Sequence, residues 1–417
     1  MKVLLVTRHF PPGGGGGVQR PLKFATHLPA LGIETHVLAP DVPGSPPDDA
    51  ELELPTQAWI HRVRYVGPSA GRPSEKLVEK EGIARIGTQA ALIGRRLLVP
   101  DENVPWSTFA LPVAIRLVRR EKIDVVLTTS PPPSLHLLGA AVKRTTGAAW
   151  VADLRDPLTS HPHRRGYESQ LARLKEKSVG GVGRLVASQA DAVVAASDAI
   201  AEEARALEPK GKVVTIANGC DFDDFAGLAH HTSNRLRITH TGHFHGKRDP
   251  KPFLRALAES GLDDVVVRFA GDFRAADREY AESLGLGDRI ELLGDVSRRR
   301  SLELQRDSEA LLLLVPDSGG RGKGVLTGKI FEYLAAERPI LAAVPPDGAA
   351  ARLVRETGAG VIVASDDVDG LRQALLDLHG RWRDGSLEGT PLSAEWRQKL
   401  ARGARVEELA EVLRSVA

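Results

Sequence analysis

Short apolar runs alternate with longer segments of helical periodicity along the first half of the chain. Such alternation predicts a parallel β-sheet that is covered by helices on both faces. The predicted strands are 2–7, 34–39, 59–66, 123–128, 148–153, 191–196 and 212–216. The predicted helices are 18–31, 107–121, 134–145, 166–189 and 197–206.

A second series of the same kind begins after the Asn218-Gly219-Cys220-Asp221 turn and the polar stretch 229–234. We therefore expect an α/β protein of two Rossmann-like domains, covering 1–218 and 235–392. The second series of strands is 236–241, 264–270, 289–293, 309–315, 339–344 and 360–364. The helices between them are 250–260, 275–285, 298–307, 328–336, 348–356 and 367–379.

Two segments stand outside this alternation. Residues 67–105 fit it poorly and are interpreted as an insertion over the edge of the first sheet. Residues 393–417 have the apolar spacing of an amphipathic helix. That helix could pack back on the first domain, or it could be a surface helix of the second.

Composition narrows the class of protein and of partner. A length of 417 residues suits two domains. The charges of the 56 basic and 54 acidic residues nearly cancel, which argues against nucleic acid as a partner. The single cysteine, Cys220, excludes an intrachain disulfide and a cysteine metal cluster. The first apolar run is too short for a signal peptide, and no run approaches the ~20 residues of a bilayer span. We expect a cytoplasmic protein.

A glycine-rich, basic loop late in the chain runs into a short helix and then a buried strand. Thr327 is in position to cap that helix, so that the N–H groups of Gly328, Lys329 and Ile330 face an anion. Glu332 follows on the Lys329 side, where its carboxylate could accept hydrogen bonds from two ribose hydroxyls. This pattern predicts a site for a phosphorylated, sugar-bearing ligand. The alternative is an ordinary capped helix.

The turn after the first strand of the second domain also has the residues expected of an anion-binding loop. Gly242 follows the first strand of that domain, and Lys247 and Arg248 come just before a helix. A glycine that admits close backbone approach, followed by two cations, suits a diphosphate. A charged surface turn is the alternative.

The first βα turn of the chain contains five glycines, Gly13–Gly17. These glycines, Gly16 and Gly17 among them, precede a helix, so the backbone can approach a ligand closely and place N–H groups toward an anion. The glycine spacing does not match a dinucleotide fingerprint. A plain flexible loop remains the other interpretation.

Polar residues at the ends of two first-domain strands are candidates for an acceptor site. Asp153 and Asp156 could hold acceptor hydroxyls. Arg155 could contact the acceptor too, or it could pair with either aspartate in a purely structural role. Ser130 or His136 could face the same edge, although a lone helical histidine is more often packed or exposed. The closest Asp-x-Asp pair, within 221–224, lies in the interdomain connection, so we expect no metal.

Taken together, these motifs resemble the family 4 glycosyltransferases of the GT-B type over nearly the whole chain. The residues that carry the resemblance are Phe10-Pro11-Pro12 with the glycine loop, Ala217-Asn218-Gly219-Cys220-Asp221, His240-Thr241-Gly242 with Lys247-Arg248, and Lys329-Ile330-Phe331-Glu332-Tyr333-Leu334-Ala335 with Pro339-Ile340-Leu341.

The resemblance implies two domains that face across a cleft and transfer of a sugar from a nucleotide-sugar co-substrate, usually with retention and without a separate cofactor. Glu332 would bind the ribose, while Lys329, Lys247 and Arg248 would neutralise the leaving diphosphate. The Gly16–Gly17 loop would close over that phosphate. Family members commonly have a further glutamate at the position of Gly324, so backbone groups of 318–328 would replace it here.

Two other functions fit the same pattern: a nucleotide-sugar epimerase of the same fold, and a non-catalytic sugar-nucleotide binding protein. The acceptor is expected to be a sugar, a lipid-linked molecule or a small metabolite. Residues 84–99 place Arg85, Arg95 and Arg96 beside apolar residues, as a segment lying on an anionic membrane would. Alternatively, they form a helix that covers the first domain with its arginines in solvent.

Overall fold

The computed structural model describes residues 1–41, 53–67, 97–158, 170–244, 248–320 and 322–417. Predictions for Lys247 and for residues 84–96 lie outside these ranges. The described residues form two compact units. One contains the chain up to Ala217 together with Val406–Ala417, and the other contains Asn218–Arg405.

The first unit is built on a parallel sheet in which seven strands are described, in the order β3-β2-β1-β4-β5-β6-β7. These strands are β1 Lys2–Val6, β2 Glu34–Asp41, β3 Trp59–Arg64, β4 Val125–Ser130, β5 Ala149–Leu154, β6 Ala192–Ala195 and β7 Lys212–Thr215. The helices between them are α1 Gly16–His27, α2 Val104–Glu121, α3 Ser134–Thr146, α4 Gln170–Gln189 and α5 Asp198–Arg205. A short 3₁₀ turn, Pro29–Leu31, follows α1.

Strand β1 shows why the sheet carries helices on both faces. Successive side chains of a strand point to opposite faces, so its continuous apolar run supplies two cores. Val3 and Leu5 belong to the core that contains α1. Leu4 and Val6 belong to the core that contains α2.

The second unit repeats this architecture with six described strands in the order β10-β9-β8-β11-β12-β13. They are β8 Leu236–Thr241, β9 Val265–Ala270, β10 Ile290–Gly294, β11 Ala310–Leu314, β12 Ile340–Ala343 and β13 Gly360–Val363. The accompanying helices are α6 Lys251–Glu259, α7 Ala275–Ser283, α8 Arg298–Arg306, α9 Gly328–Ala336, α10 Ala349–Thr357 and α11 Val368–Arg383. Two 3₁₀ turns, Phe222–Phe225 and Gly287–Arg289, complete it.

The last part of the chain is two helices, α12 Ala394–Leu400 and α13 Arg402–Arg414, so the prediction of one continuous helix is wrong. The break has a physical cause, because Ala401 is extended and pairs with Cys220. The Cys220 N–H donates to Leu400 O, and the Arg402 N–H donates to Cys220 O, each at 3.0 Å. Beyond the break, the apolar side of α13 is buried in the core of the first unit.

The strand orders confirm the predicted pair of Rossmann-like α/β domains. In each sheet the order reverses between two neighbouring strands, β1 and β4 in the first and β8 and β11 in the second. Ligands of open parallel sheets bind at the carboxyl ends of the strands beside such a reversal. A binding site is therefore expected at these two edges.

Candidate functional site

The start of α9 leaves backbone donors open. Thr327 occupies the predicted cap position, but its side chain makes no capping hydrogen bond. The Ile330 N–H donates to the Thr327 carbonyl at 3.2 Å instead. The N–H groups of Gly328 and Lys329 have no acceptor among the described residues. Two donors, rather than the expected three, are open to an anion at this terminus.

Lys329 lies directly over Gly242, at the carboxyl end of β8. Gly242 has a φ of 109°, and a Cβ there would lie 2.5 Å from Lys329 Nζ, so only glycine admits this approach. Within the described ranges the ammonium group forms no hydrogen bond or ion pair. Burial and the neighbouring Arg248 lower the Lys329 pKa to about 7.

Arg248 is a second cation at the same place, and it is 8% exposed. Its Nε donates to Leu314 O at 3.2 Å and its Nη1 donates to His243 O at 2.7 Å. No carboxylate of the described chain pairs with it. Burial lowers the Arg248 pKa, and the charge interaction with Tyr333 opposes this only in part. Two adjacent cations that lack carboxylate partners strongly favour an anionic ligand.

His240 contributes to this electrostatic environment from the interior. Its Nδ1 lies 2.8 Å from Leu312 O, and a carbonyl only accepts, so Nδ1 carries the proton. Its Nε2 is a buried acceptor without a partner in the described parts of the chain. Burial, Lys329 and Arg248 hold the His240 pKa well below its ordinary value. The imidazole therefore stays neutral beside the cations.

Glu332 is held in place by a polar network that the sequence did not reveal. Arg298 Nη1 donates to Glu332 Oε1 at 2.6 Å, and Nη2 donates to Asp224 at 2.7 Å. Gln305 Nε2 lies 3.3 Å from Glu332 Oε2 and 3.1 Å from Thr241 Oγ1. Burial lowers the Arg298 pKa, but Glu332 and Asp224 raise it by more, so the net pKa is above its ordinary value. Only the helical register of the arginine run 298–300 could have indicated which arginine points inward.

The loop between β11 and α9, which contains Gly324, turns through three left-handed residues. Ser318, Gly319 and Gly320 have φ values of 52°, 68° and 83°. The carboxylate of Asp317 accepts from the Gly320 N–H at 3.1 Å. The Ser318 hydroxyl oxygen, like that of Thr327, is buried and has no described partner. The loop thus contains two buried hydroxyl groups that have no partner among the described residues.

The first unit places most of the predicted acceptor residues inside the protein. Asp153 is 0% exposed. Its carboxylate accepts from Arg20 Nη2 at 2.8 Å and from Thr129 Oγ1 at 2.7 Å. Arg20, rather than the expected Arg155, is its ion-pair partner. The buried ion pair ties α1 to the ends of β4 and β5, which favours an architectural role for Asp153.

Arg155 binds backbone carbonyl groups around the glycine loop. Its Nε donates to Ser130 O at 2.9 Å, and its terminal nitrogens donate to Gly17 O and to Pro131 O. The Ser130 side chain is buried, with its hydroxyl 3.4 Å from Asp153 O. Of the predicted acceptor residues, Arg155 and Asp156 remain partly exposed.

His136 belongs to the core rather than to the surface. Its Nδ1 lies 2.9 Å from Thr128 Oγ1, and the same hydroxyl oxygen accepts from Trp150 Nε1 at 2.8 Å. Burial lowers the His136 pKa to about 4. This arrangement matches the packed alternative given for a lone helical histidine.

The glycine loop itself opens α1. Gly15 is the cap residue with a φ of 91°, and the N–H groups of Gly16 and Gly17 find no acceptor within the part of the chain that is described. Nowhere in the described ranges do three His, Cys, Asp or Glu side chains form a group suited to a metal ion. None of the helices in those ranges is long and apolar enough to cross a membrane.

Solved structures share this fold over almost the whole chain. Sucrose-phosphate synthase from Thermosynechococcus elongatus is 16% identical with a TM-score of 0.65, covering 99% of this chain and 98% of that one. HepE from Anabaena, in complex with UDP and glucose, is 16% identical with a TM-score of 0.64 and full coverage, 100% of both chains. UDP-GlcNAc 2-epimerase from Methanocaldococcus jannaschii is 14% identical with a TM-score of 0.54, again covering 100% of both.

Sequence comparison gives the family. No curated protein matches the sequence significantly. The model of Glycosyltransferase Family 4 matches residues 14–224, which is more than half of the chain. The protein therefore belongs to glycosyltransferase family 4, and its two parallel-sheet domains have the GT-B fold.

Proposed function

We propose that the protein transfers a glycosyl group from a nucleotide-sugar donor to an acceptor hydroxyl, and that the second unit binds the donor. The observation that carries the proposal is the pair of cations, Lys329 and Arg248, that lack carboxylate partners beside Gly242. A diphosphate would supply the missing negative charge. It would also accept hydrogen bonds from the open N–H groups of Gly328 and Lys329.

The same cations serve the chemistry as well as the binding. In glycosyl transfer the bond from the anomeric carbon to the diphosphate oxygen breaks, the acceptor oxygen bonds to that carbon, and the acceptor proton passes to the released diphosphate. Negative charge grows on the leaving diphosphate, so fixed cations beside it stabilise the transition state more than the ground state. Lys329 and Arg248 therefore take the leaving-group role, which is why the proposal includes a metal-independent reaction.

Glu332 is assigned to the ribose. Arg298 and Gln305 hold its two oxygens, and each oxygen retains a lone pair for one vicinal hydroxyl. The buried hydroxyls of Ser318 and Thr327 are assigned to the donor sugar, in place of the carboxylate absent at Gly324. A hexose is the proposed sugar, transferred with retention. HepE has been solved with UDP-glucose, so UDP-glucose is the first donor to test.

Binding and turnover separate these roles. A panel of nucleotide sugars should raise the melting temperature, because a ligand of the native state stabilises it. Lys329→Ala and Arg248→Ala should reduce kcat strongly, whereas Glu332→Ala should chiefly weaken donor binding. Lys399→Ala is the control, because that exposed lysine of α12 lies over the Trp396 ring and belongs to none of the loops assigned to the donor. Unchanged kinetics in the first three variants would refute the donor site.

Epimerisation of a nucleotide sugar is the second candidate, because an epimerase shares the fold at a TM-score of 0.54. It would use the same diphosphate cations but no acceptor. Incubation with a nucleotide sugar alone, followed by NMR of the sugar, distinguishes the two activities. Interconversion without an acceptor would establish the epimerase. Binding without turnover over a broad acceptor panel would instead indicate a non-catalytic binding protein.

A further inference from the structure

The carboxyl edge of the first sheet carries cations that the proposed donor site does not use. Arg8 follows β1, and its guanidinium carbon lies 4.5 Å from the centre of the Tyr65 ring. Its Nε donates to Asn103 Oδ1 at 2.9 Å, and the Tyr65 hydroxyl donates to the same oxygen at 3.2 Å. Stacking and hydrogen bonding thus fix the plane of the guanidinium.

The two terminal nitrogens of Arg8 remain open in the described part of the first unit. Neither Nη1 nor Nη2 has a hydrogen-bond or ion-pair partner among the residues that the structure describes, and the side chain is partly exposed. An arginine held by its Nε, with both terminal nitrogens open, presents a planar fork of donors. Such a fork matches the two oxygens of a phosphate or carboxylate.

Two further arginines surround the same loop without neutralising partners in hydrogen-bonding distance. Arg62 donates to the carbonyls of Pro40 and Pro11, and Arg155 donates only to backbone carbonyls. Asp41 acts on Arg62, and Asp153 and Asp156 act on Arg155, only through longer-range charge interactions. Hydrogen bonds to carbonyl groups fix a guanidinium but leave its charge in place.

His9 links Arg8 to Arg155. Its ring packs against Gly17, where a Cβ would lie 3.3 Å from the imidazole Cγ. Burial, Arg155 and Arg8 lower the His9 pKa to about 3, although Asp156 opposes them. Arg8 and Arg155 therefore both act on one neutral imidazole beside the glycine loop. These two arginines belong to one local cluster.

We infer that this cluster is an oxyanion site centred on Arg8, and that the acceptor bears a phosphate or carboxylate group which binds there. The inference rests on the proposed glycosyl transfer and names the class of acceptor. Arg8 binds the anion through its two terminal nitrogens, and Arg62 and Arg155 raise the local positive potential. The site lies on the sheet edge where ligands of this architecture bind.

Calorimetry with simple anions tests the site without knowledge of the acceptor. Inorganic phosphate and sodium acetate are titrated into the full-length Arg248→Gln/Lys329→Gln double variant, in which the cations of the donor site are removed. We expect one anion or both to bind with a Kd in the millimolar range. Adding Arg8→Gln should weaken that binding by about tenfold or more, because charged hydrogen bonds are lost. Phosphate alone would indicate a phosphorylated acceptor, and acetate alone a carboxylated one.

The control is Arg116→Gln, which removes an exposed arginine of α2 that has no hydrogen bond or ion pair to any described residue. It should leave anion binding unchanged, and Arg8→Lys should restore part of the affinity. Absence of binding for both anions, or equal binding by the Arg8→Gln variant, would overturn the inference. The titrated protein lacks the cations of the proposed donor site, so its anion binding does not depend on that site. If the donor-site proposal is wrong, the wild-type protein will instead fail to bind nucleotide sugars.

Discussion

Lys329 should make donor binding depend on pH. Its pKa of about 7 means that the free protein loses this positive charge just above neutrality. A diphosphate beside the ammonium group would raise its pKa again, since opposite charge favours the charged form. Binding at alkaline pH must then take up a proton.

The magnitude follows from the protonated fraction of the free protein. With a pKa of about 7, the free lysine is roughly nine-tenths protonated at pH 6 and roughly one-tenth protonated at pH 8. If the bound lysine stays protonated, affinity falls about tenfold between these pH values, or about 1.4 kcal/mol. Proton uptake rises from about 0.1 to about 0.9 over the same interval. Calorimetry of a nucleotide sugar in buffers of different ionisation enthalpy measures both quantities.

Two neighbouring side chains, His240 and Tyr333, do not titrate in this interval. Burial keeps the pKa of His240 well below its ordinary value, and burial raises the pKa of Tyr333 to about 12. Neither group therefore changes its charge between pH 6 and pH 8. Lys329→Arg is the matched control, because a guanidinium stays charged throughout and should give an affinity independent of pH. Wild-type affinity that is constant from pH 6 to pH 8, without proton uptake, would refute the assigned contact between Lys329 and the diphosphate.

Three further predictions concern the second unit. Gly242→Ala should abolish nucleotide-sugar binding in calorimetry by displacing the lysine above it, whereas Gly285→Ala, left-handed but with open space around it, should not. Arg298→Ala should raise the KM for the donor several-fold with little change in kcat, because Glu332 loses the arginine that holds it. Arg299 is an exposed neighbour of Arg298, so Arg299→Ala should leave both KM and kcat unchanged. Exhaustive treatment with EDTA should leave the transfer rate unchanged, and restoration by added Mg²⁺ would contradict the metal-independent proposal.

Periodicity was sufficient to predict both sheets, because fully buried parallel strands read as continuous apolar runs. The final helices show where it failed. Leu400 and Val406 carry the apolar spacing of one helix, but Ala401 between them is extended because its backbone pairs with Cys220. That pairing joins residues far apart in sequence, so local periodicity contains no trace of it.

Side-chain partners were the least predictable part of the site. The sequence placed Lys329 and Gly242 at one site, and the two residues do lie in contact, since Gly242 follows β8 and Lys329 is in the first turn of α9. It could not identify Arg298 as the cation that holds Glu332. The choice among three consecutive arginines depends on which face of α8 packs inward, and tertiary packing decides that face.

The partners of a buried charged side chain indicate whether that side chain has a structural role or binds a ligand. Asp153 and Arg20 are both buried and neutralise each other at 2.8 Å, so each is explained without any ligand. Arg248 is nearly as buried, yet it hydrogen-bonds to carbonyl groups that leave its charge uncompensated. An unpaired buried charge lowers the stability of the free protein, and a bound ligand of opposite sign compensates for that cost. The absence of a carboxylate partner beside Arg248 and Lys329, rather than their charge alone, is therefore the argument for the proposed donor site.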